Sequence, residues 1–132
     1  MATPVEGGCF CGFVRYASAG PVSNETYCHC TICRGTTGAP FVAWLTVPRA
    51  SFELRGEPTR FRSSEHATRS FCPRCGTQLT FESDEYPDEV DVSTGSLDEP
   101  GRFPPRDHTW VSSKLAWVEL DDDLPSFPRA RS

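Results

Sequence analysis

The sequence predicts an all-β domain of short antiparallel strands joined by irregular loops. Three observations carry this expectation. Runs rich in β-branched and aromatic residues recur, and Gly or Pro interrupts them roughly every ten positions. Twelve prolines in 132 residues suit an architecture of many turns. No window of about a dozen residues places its apolar side chains at helical spacing.

Taken in order, the expected strands begin with "GFVRY" (12–16) and "FVAWLTV" (41–47). In the latter both alternating sets contain large apolar groups, so burial on both faces is expected. Then come "SFELR" (51–55), "TRFRS" (59–63), "ATRSFC" (67–72), "QLTFE" (78–82), "EVDVSTG" (89–95) and "LAWVEL" (115–120). One turn of helix is expected after Thr31, whose hydroxyl can cap it. "GSLDEP" (95–100) reads as a turn in which Asp98 bonds nearby amides. The segment from Asp121 is an acidic turn followed by a proline-broken stretch, with Leu124 and Phe127 tacking it down. Trp44, Trp110, Trp117 and the nine phenylalanines are assigned to the core. Residues 1–132 are expected to form a single domain, since no repeat or linker divides them.

Composition narrows the function. The net charge is −5, and it would approach −8 if all seven thiols ionised around two divalent metals. The twelve arginines and the single lysine, Lys114, form no basic stripe. Nucleic acid is therefore not an expected partner. No apolar run approaches the length of a membrane span, and "MATPVEGG" lacks the basic start and apolar core of a secretory signal. A reducing cytoplasm is the expected setting, where tight cysteine clusters are more often metal sites than disulfides.

The seven cysteines fall into three clusters. Cys9 and Cys11 lie in "GGCFCG", Cys28, Cys30 and Cys33 in "YCHCTICR", and Cys72 and Cys75 in "FCPRCG". The last has the form of a zinc knuckle, with Gly76 letting amides turn toward the sulfurs and Gly12 serving the first cluster likewise. Two pairs make a closed tetrahedral site: Cys9, Cys11, Cys72 and Cys75 as a structural zinc centre that clips the start of the chain to its middle. Three cysteines remain. In an extended run the His29 side chain points away from those of Cys28 and Cys30, so the trio is read as a zinc site with an open fourth position, the pattern of catalytic zinc. His66 and His108 are too distant in sequence to place. A zinc held by three thiolates is electron-rich and a poor activator of water, yet it hosts a further thiolate well. The implied chemistry is presentation of a substrate thiol to a small electrophile such as an aldehyde.

The segments "GGCFCGFVRY", "YCHCTICRGTTGAPFVAW", "FCPRCGTQLTF" and "VSTGSLDEP", with His108 and Trp110 as His-x-Trp, resemble the glutathione-dependent formaldehyde-activating enzyme family. Centromere protein V relatives share that domain. The resemblance runs from about residue 5 to 127 and includes every cysteine. It implies a zinc-stabilised β-tent, a structural zinc on Cys9, Cys11, Cys72 and Cys75, and a catalytic zinc on Cys28, Cys30 and Cys33. It further implies a carbon–sulfur lyase that joins glutathione to formaldehyde as S-hydroxymethylglutathione.

Glutathione carries two carboxylates, so cations and backbone donors are expected around it. Arg34 is the first candidate, followed by Arg69, Arg74 and Lys114, with Gly35 and Gly38 allowing close backbone approach. His29, His108 or water would return the proton to the adduct. Two other readings compete: a zinc-stabilised protein-binding module without catalysis, and a redox sensor that releases zinc on oxidation.

Overall fold

A computed structural model describes residues 4–131. Ten strands occur in chain order: β1 (Val5–Gly8), β2 (Arg15–Ser18), β3 (Ser23–Cys28), β4 (Val42–Pro48), β5 (Phe52–Arg55), β6 (Thr59–Arg62), β7 (Ala67–Phe71), β8 (Gln78–Ser83), β9 (Glu89–Ser93) and β10 (Asp107–Thr109). Among the described residues a single α-helix, α1 (Thr31–Thr37), lies between β3 and β4, and four one-turn 3-10 helices punctuate the loops. The strands form two open sheets, a three-stranded one in the order β1-β2-β5 and a seven-stranded one in the order β10-β3-β4-β9-β8-β7-β6. The mostly-β architecture is the expected one.

Several elements differ from the sequence reading. The strand expected at 12–16 starts at Arg15, because Gly12 takes a left-handed conformation and residues 12–14 complete a turn around Cys9. The strand expected at 115–120 does not form. The Val118 N–H folds back onto the Leu115 carbonyl, the Lys114 ammonium binds the carbonyls of Leu115 and Val118, and Trp117 is left 71% exposed. Trp110 is also partly exposed, so Trp44 alone of the three tryptophans is core. Strands β1, β3 and β10 were not expected; "VEGG", "SNETYC" and "DHT" have weak strand propensity, and pairing with neighbours holds them. β10 pairs with β3 in parallel, the one departure from antiparallel order among the described strands. Asp98 turns its carboxylate to Arg15 at 2.5–2.9 Å rather than to nearby amides.

Register assigns the faces of the large sheet. Leu45 pairs with Val92 and Val47 with Val90, and these residues join Val5, Val14, Tyr16, Leu79, Leu97 and Phe103 in the core shared with the small sheet. Cys9 and Cys72 belong to the same cluster. The alternate positions form a row across the other face: Thr46 opposite Asp91, Asp91 opposite Phe81, Phe81 opposite Arg69, Arg69 opposite Phe61. Cys28, opposite Val42, and Trp44 share that second face, where Trp44 packs with Cys28 and Cys33. One sheet thus separates the two groups of sulfurs.

Candidate metal centres

The first centre is built from two turns of one design. The Cys9 N–H donates to the Val14 carbonyl at 3.0 Å and the Gly12 N–H returns to the Cys9 carbonyl at 3.1 Å. Likewise the Cys72 N–H donates to the Thr77 carbonyl at 3.0 Å and the Gly76 N–H to the Cys72 carbonyl at 2.9 Å. Gly12 and Gly76 both sit at φ +83°, where a side chain is strained. The turns aim the N–H groups of Val14 and Arg74 at the sulfurs of Cys9 and Cys72, at 3.2 and 3.3 Å. Such bonds offset thiolate charge.

The sulfurs of Cys9, Cys11, Cys72 and Cys75 all lie within 4.8 Å of one another. Cys9 and Cys11 are 3.6 Å apart, Cys11 and Cys72 3.8 Å. Metal–sulfur bonds of about 2.3 Å in a tetrahedron put sulfurs about 3.8 Å apart, so this donor set fits zinc. The Thr77 hydroxyl beside Cys75 pulls that thiol down to about 5.

The second group forms where β3 gives way to α1. Cys28 ends the strand, Cys30 caps the helix and Cys33 lies in its first turn. The cap is the Cys30 sulfur, accepting from the Cys33 N–H at 3.2 Å, rather than the expected Thr31 hydroxyl. At the other end Gly38, at φ +77°, closes the helix with its N–H on the Arg34 carbonyl. The three sulfurs lie within 4.8 Å of one another, with Cys33 and Cys28 at 3.5 Å. Among the described residues no fourth His, Cys, Asp or Glu donor joins them. Hydrogen bonds from Cys28 and Cys33 pull the Cys30 thiol down to about 2, while hydrogen bonding with Cys30 and Cys33, together with burial, pushes the Cys28 thiol up. Of the three, Cys30 is the thiol that ionises most readily.

The sequence-derived candidates separate on this geometry. Arg69 is buried against the trio, its Nη1 and Nη2 each 3.6 Å from the Cys33 sulfur. Arg34 lies beside the trio and donates from Nη1 to the carbonyls of His29 (3.2 Å) and Ser113. Lys114 follows Ser113, with its ammonium on two carbonyls. Gly35 faces open space on α1, as does Gly38. Arg74 is elsewhere, its guanidinium 3.8 Å from the centre of the Phe13 ring beside the quartet. His66 is exposed next to Glu65.

His29 follows Cys28 on the strand's alternate side and is wholly buried. Its Nε2 lies 3.0 Å from Nδ1 of His108, whose Nε2 is 2.7 Å from Oδ2 of Asp122. Phe41 packs on the His29 ring and Tyr27 stacks on His108. Burial, then the charges of His108, Lys114 and Arg34, lower His29 from its ordinary value. Sequence reasoning missed Asp122, which nothing distinguishes from its neighbours in the acidic run 121–123. Two open hollows of about 380 and 390 Å³ are remote from both sulfur groups; Arg49, Arg60 and Glu82 line one, Asn24, Asp107 and Arg131 the other.

The chain is similar to known proteins over most of its length. The glutathione-dependent formaldehyde-activating enzyme family matches residues 4–113. A protein of Halomonas elongata, whose name places it provisionally in that family, is 29% identical over 127 residues, covering 89% of this chain and 81% of its own length. An uncharacterized lyase of Schizosaccharomyces pombe is 32% identical over 76 residues, 58% of this chain, and the match spans 56% of the relative's length. A crystal structure of a Rhodobacter sphaeroides protein shares the fold with a TM-score of 0.57 at 21% identity, covering 92% of this chain and 98% of that one. On the match over residues 4–113, this chain belongs to the glutathione-dependent formaldehyde-activating enzyme family.

Proposed function

We propose that the protein is a zinc-dependent carbon–sulfur lyase that adds a small thiol, glutathione in the first instance, to formaldehyde. The observation that carries this reading is the pair of unequal sulfur groups: four cysteines that complete a tetrahedron by themselves, and three that do not. Cys9, Cys11, Cys72 and Cys75 would hold a structural zinc, and Cys28, Cys30 and Cys33 a catalytic one. Zinc bound by the trio supplies a site for a thiol sulfur and lowers that thiol's pKa, so that it meets the carbonyl as a thiolate.

The chain's own residues shape what surrounds the reacting sulfur. Cys30 is half-buried while Cys28 and Cys33 are buried, so approach is from the Cys30 side. Trp44 and Phe81 cover the sheet side of the trio and keep water from it. Arg34 and Lys114 have carbonyl oxygens as partners and no ion pair among the described residues, which leaves their charge for a substrate carboxylate. The Gly35 backbone is open to contact. His29 and His108 lie on the alternate side of β3 and brace the cysteine loop; water returns the proton. The net change adds S–H across C=O. The sulfur–carbon bond forms, the π pair moves to oxygen, the thiol proton leaves to solvent and the oxygen takes one up, with no redox partner.

The test mixes zinc-loaded protein with glutathione and formaldehyde and follows the S-hydroxymethyl adduct by NMR. Acceleration that Cys30→Ser abolishes supports the assignment. A rate equal to the spontaneous reaction rejects this substrate pair.

A further inference from the structure

Arg69 occupies an unusual position for a guanidinium. It is 3% exposed, on β7 and on the sheet face that carries Cys28 and Trp44. Its Nε lies 3.1 Å from the Ser63 hydroxyl, and Nη1 lies 3.5 Å from the Thr36 hydroxyl. Both terminal nitrogens lie 3.6 Å from the Cys33 sulfur. The ring centres of Phe81 and Trp44 are 4.9 and 5.8 Å away. Among the described residues no carboxylate forms an ion pair with it. Asp91 shares the face but stands beyond Phe81, with Oδ1 accepting from the Thr46 hydroxyl at 2.6 Å.

A guanidinium stays charged at any ordinary pH, and burying one is unfavourable unless negative charge faces it. Hydroxyls and aromatic rings are weak compensation. Asp91 acts on Arg69 only through space, from beyond Phe81, whereas the Cys33 sulfur faces both terminal nitrogens directly, so the adjacent negative charge comes from the trio. Three thiolates around a divalent ion sum to one negative charge, and Arg69 cancels it. With Arg69 present, an anionic fourth ligand leaves the ensemble at −1; without it, at −2. A neutral fourth ligand gains nothing from the guanidinium.

We propose that Arg69 is the counter-ion of the three-cysteine centre, a positioning residue that makes the open corner prefer an anion over a neutral ligand. This rests on the reading of the trio as an open metal site. It assigns to a single buried side chain the preference for a thiolate over water.

The test uses protein loaded with cobalt(II), titrated separately with 2-mercaptoethanol, azide and imidazole while the cobalt d–d bands are followed. A charge about 6 Å away at an effective dielectric constant near 20 changes anion binding by well over tenfold. In Arg69→Gln, thiolate and azide should therefore bind at least about tenfold more weakly, with imidazole unchanged within about twofold. Arg69→Lys, which keeps the charge, should hold the anion-to-imidazole ratio within about threefold of wild type. Equal weakening of all three ligands in Arg69→Gln, or no weakening, overturns the proposal. If Arg69→Gln fails to hold metal, the Arg69→Lys ratio decides: retention supports the proposal and loss overturns it. Wild-type protein that binds azide and imidazole but no thiol would defeat the thiol reading above, while the azide-to-imidazole ratio still tests Arg69. Wild-type protein that binds none of the three ligands overturns both.

Discussion

His29 stands with its Nε2 atom 3.0 Å from Nδ1 of His108, the two rings buried between Phe41 and Tyr27. Oδ2 of Asp122 lies 2.7 Å from Nε2 of His108, so the imidazole has a partner on each ring nitrogen. A residue wedged between two zinc-ligand candidates is thus tied, through one imidazole, to the segment after β10. The Phe127 N–H on the His108 carbonyl and the His108 N–H on the Pro125 carbonyl tie the same segment a second time.

His108→Ala should therefore cost about 2–3 kcal/mol, from a lost buried hydrogen-bond pair and the cavity left under Tyr27. The 121–131 segment should also become protease-sensitive while the quartet keeps its metal. Thermal melting with limited proteolysis checks this; a variant as stable as wild type would refute the bracing role.

The two sulfur groups should respond differently to loss of one ligand. Cys72→Ser opens the clip between segments about sixty residues apart and should cost more than 5 kcal/mol, enough to prevent folding. Cys30→Ser should cost under about 2 kcal/mol, because serine also caps a helix well. Native mass spectrometry should find the quartet's ion retained in Cys30→Ser and lost in Cys72→Ser. Equal destabilisation would contradict the division.

Asp91 has a pH signature. Burial raises its carboxyl to about 6, above its ordinary value of 3.8. The folded state therefore binds a proton more tightly than the unfolded chain. Its contribution to stability is fully present below pH 4 and is lost as pH rises through 6, a change of up to about 3 kcal/mol. Asp91→Asn, which keeps an acceptor for Thr46, should gain on wild type by that amount across pH 4–6. The difference between the two melting curves is the readout, since metal release at low pH affects both equally.

Arg34 clamps α1 to the loop after β10 through the carbonyls of His29 and Ser113. Arg34→Met should cost about 1–2 kcal/mol and raise amide exchange across 111–114 more than in β7 or β8. Hydrogen-exchange mass spectrometry resolves the two regions.

The central strands were legible in the sequence because Leu45, Val47, Val90 and Val92 alternate with polar or second-face residues, which fixes both period and face. β3 was not: "SNETYC" is polar, its pairing comes from β4 and β10, and β10 adds only three residues. The apolar run 115–120 misled because strand propensity is no substitute for a partner edge. At the site, cysteine spacing was informative because ligand geometry is local. Arg69 and Asp122 reach the trio and His108 through tertiary register, which spacing does not encode.

The parallel pairing of β10 with β3 bears on the order of assembly. A nascent chain can seat the ion of the quartet once Cys75 has emerged, before the loop at 28–33 has its support. The brace for that loop, His108 with Asp122 and the Phe127 tie, is synthesised dozens of residues later. During synthesis the core, complete at Phe103, can thus close before Cys28, Cys30 and Cys33 gain their brace, so a chain that stops short of Asp107 leaves those three thiols unsupported.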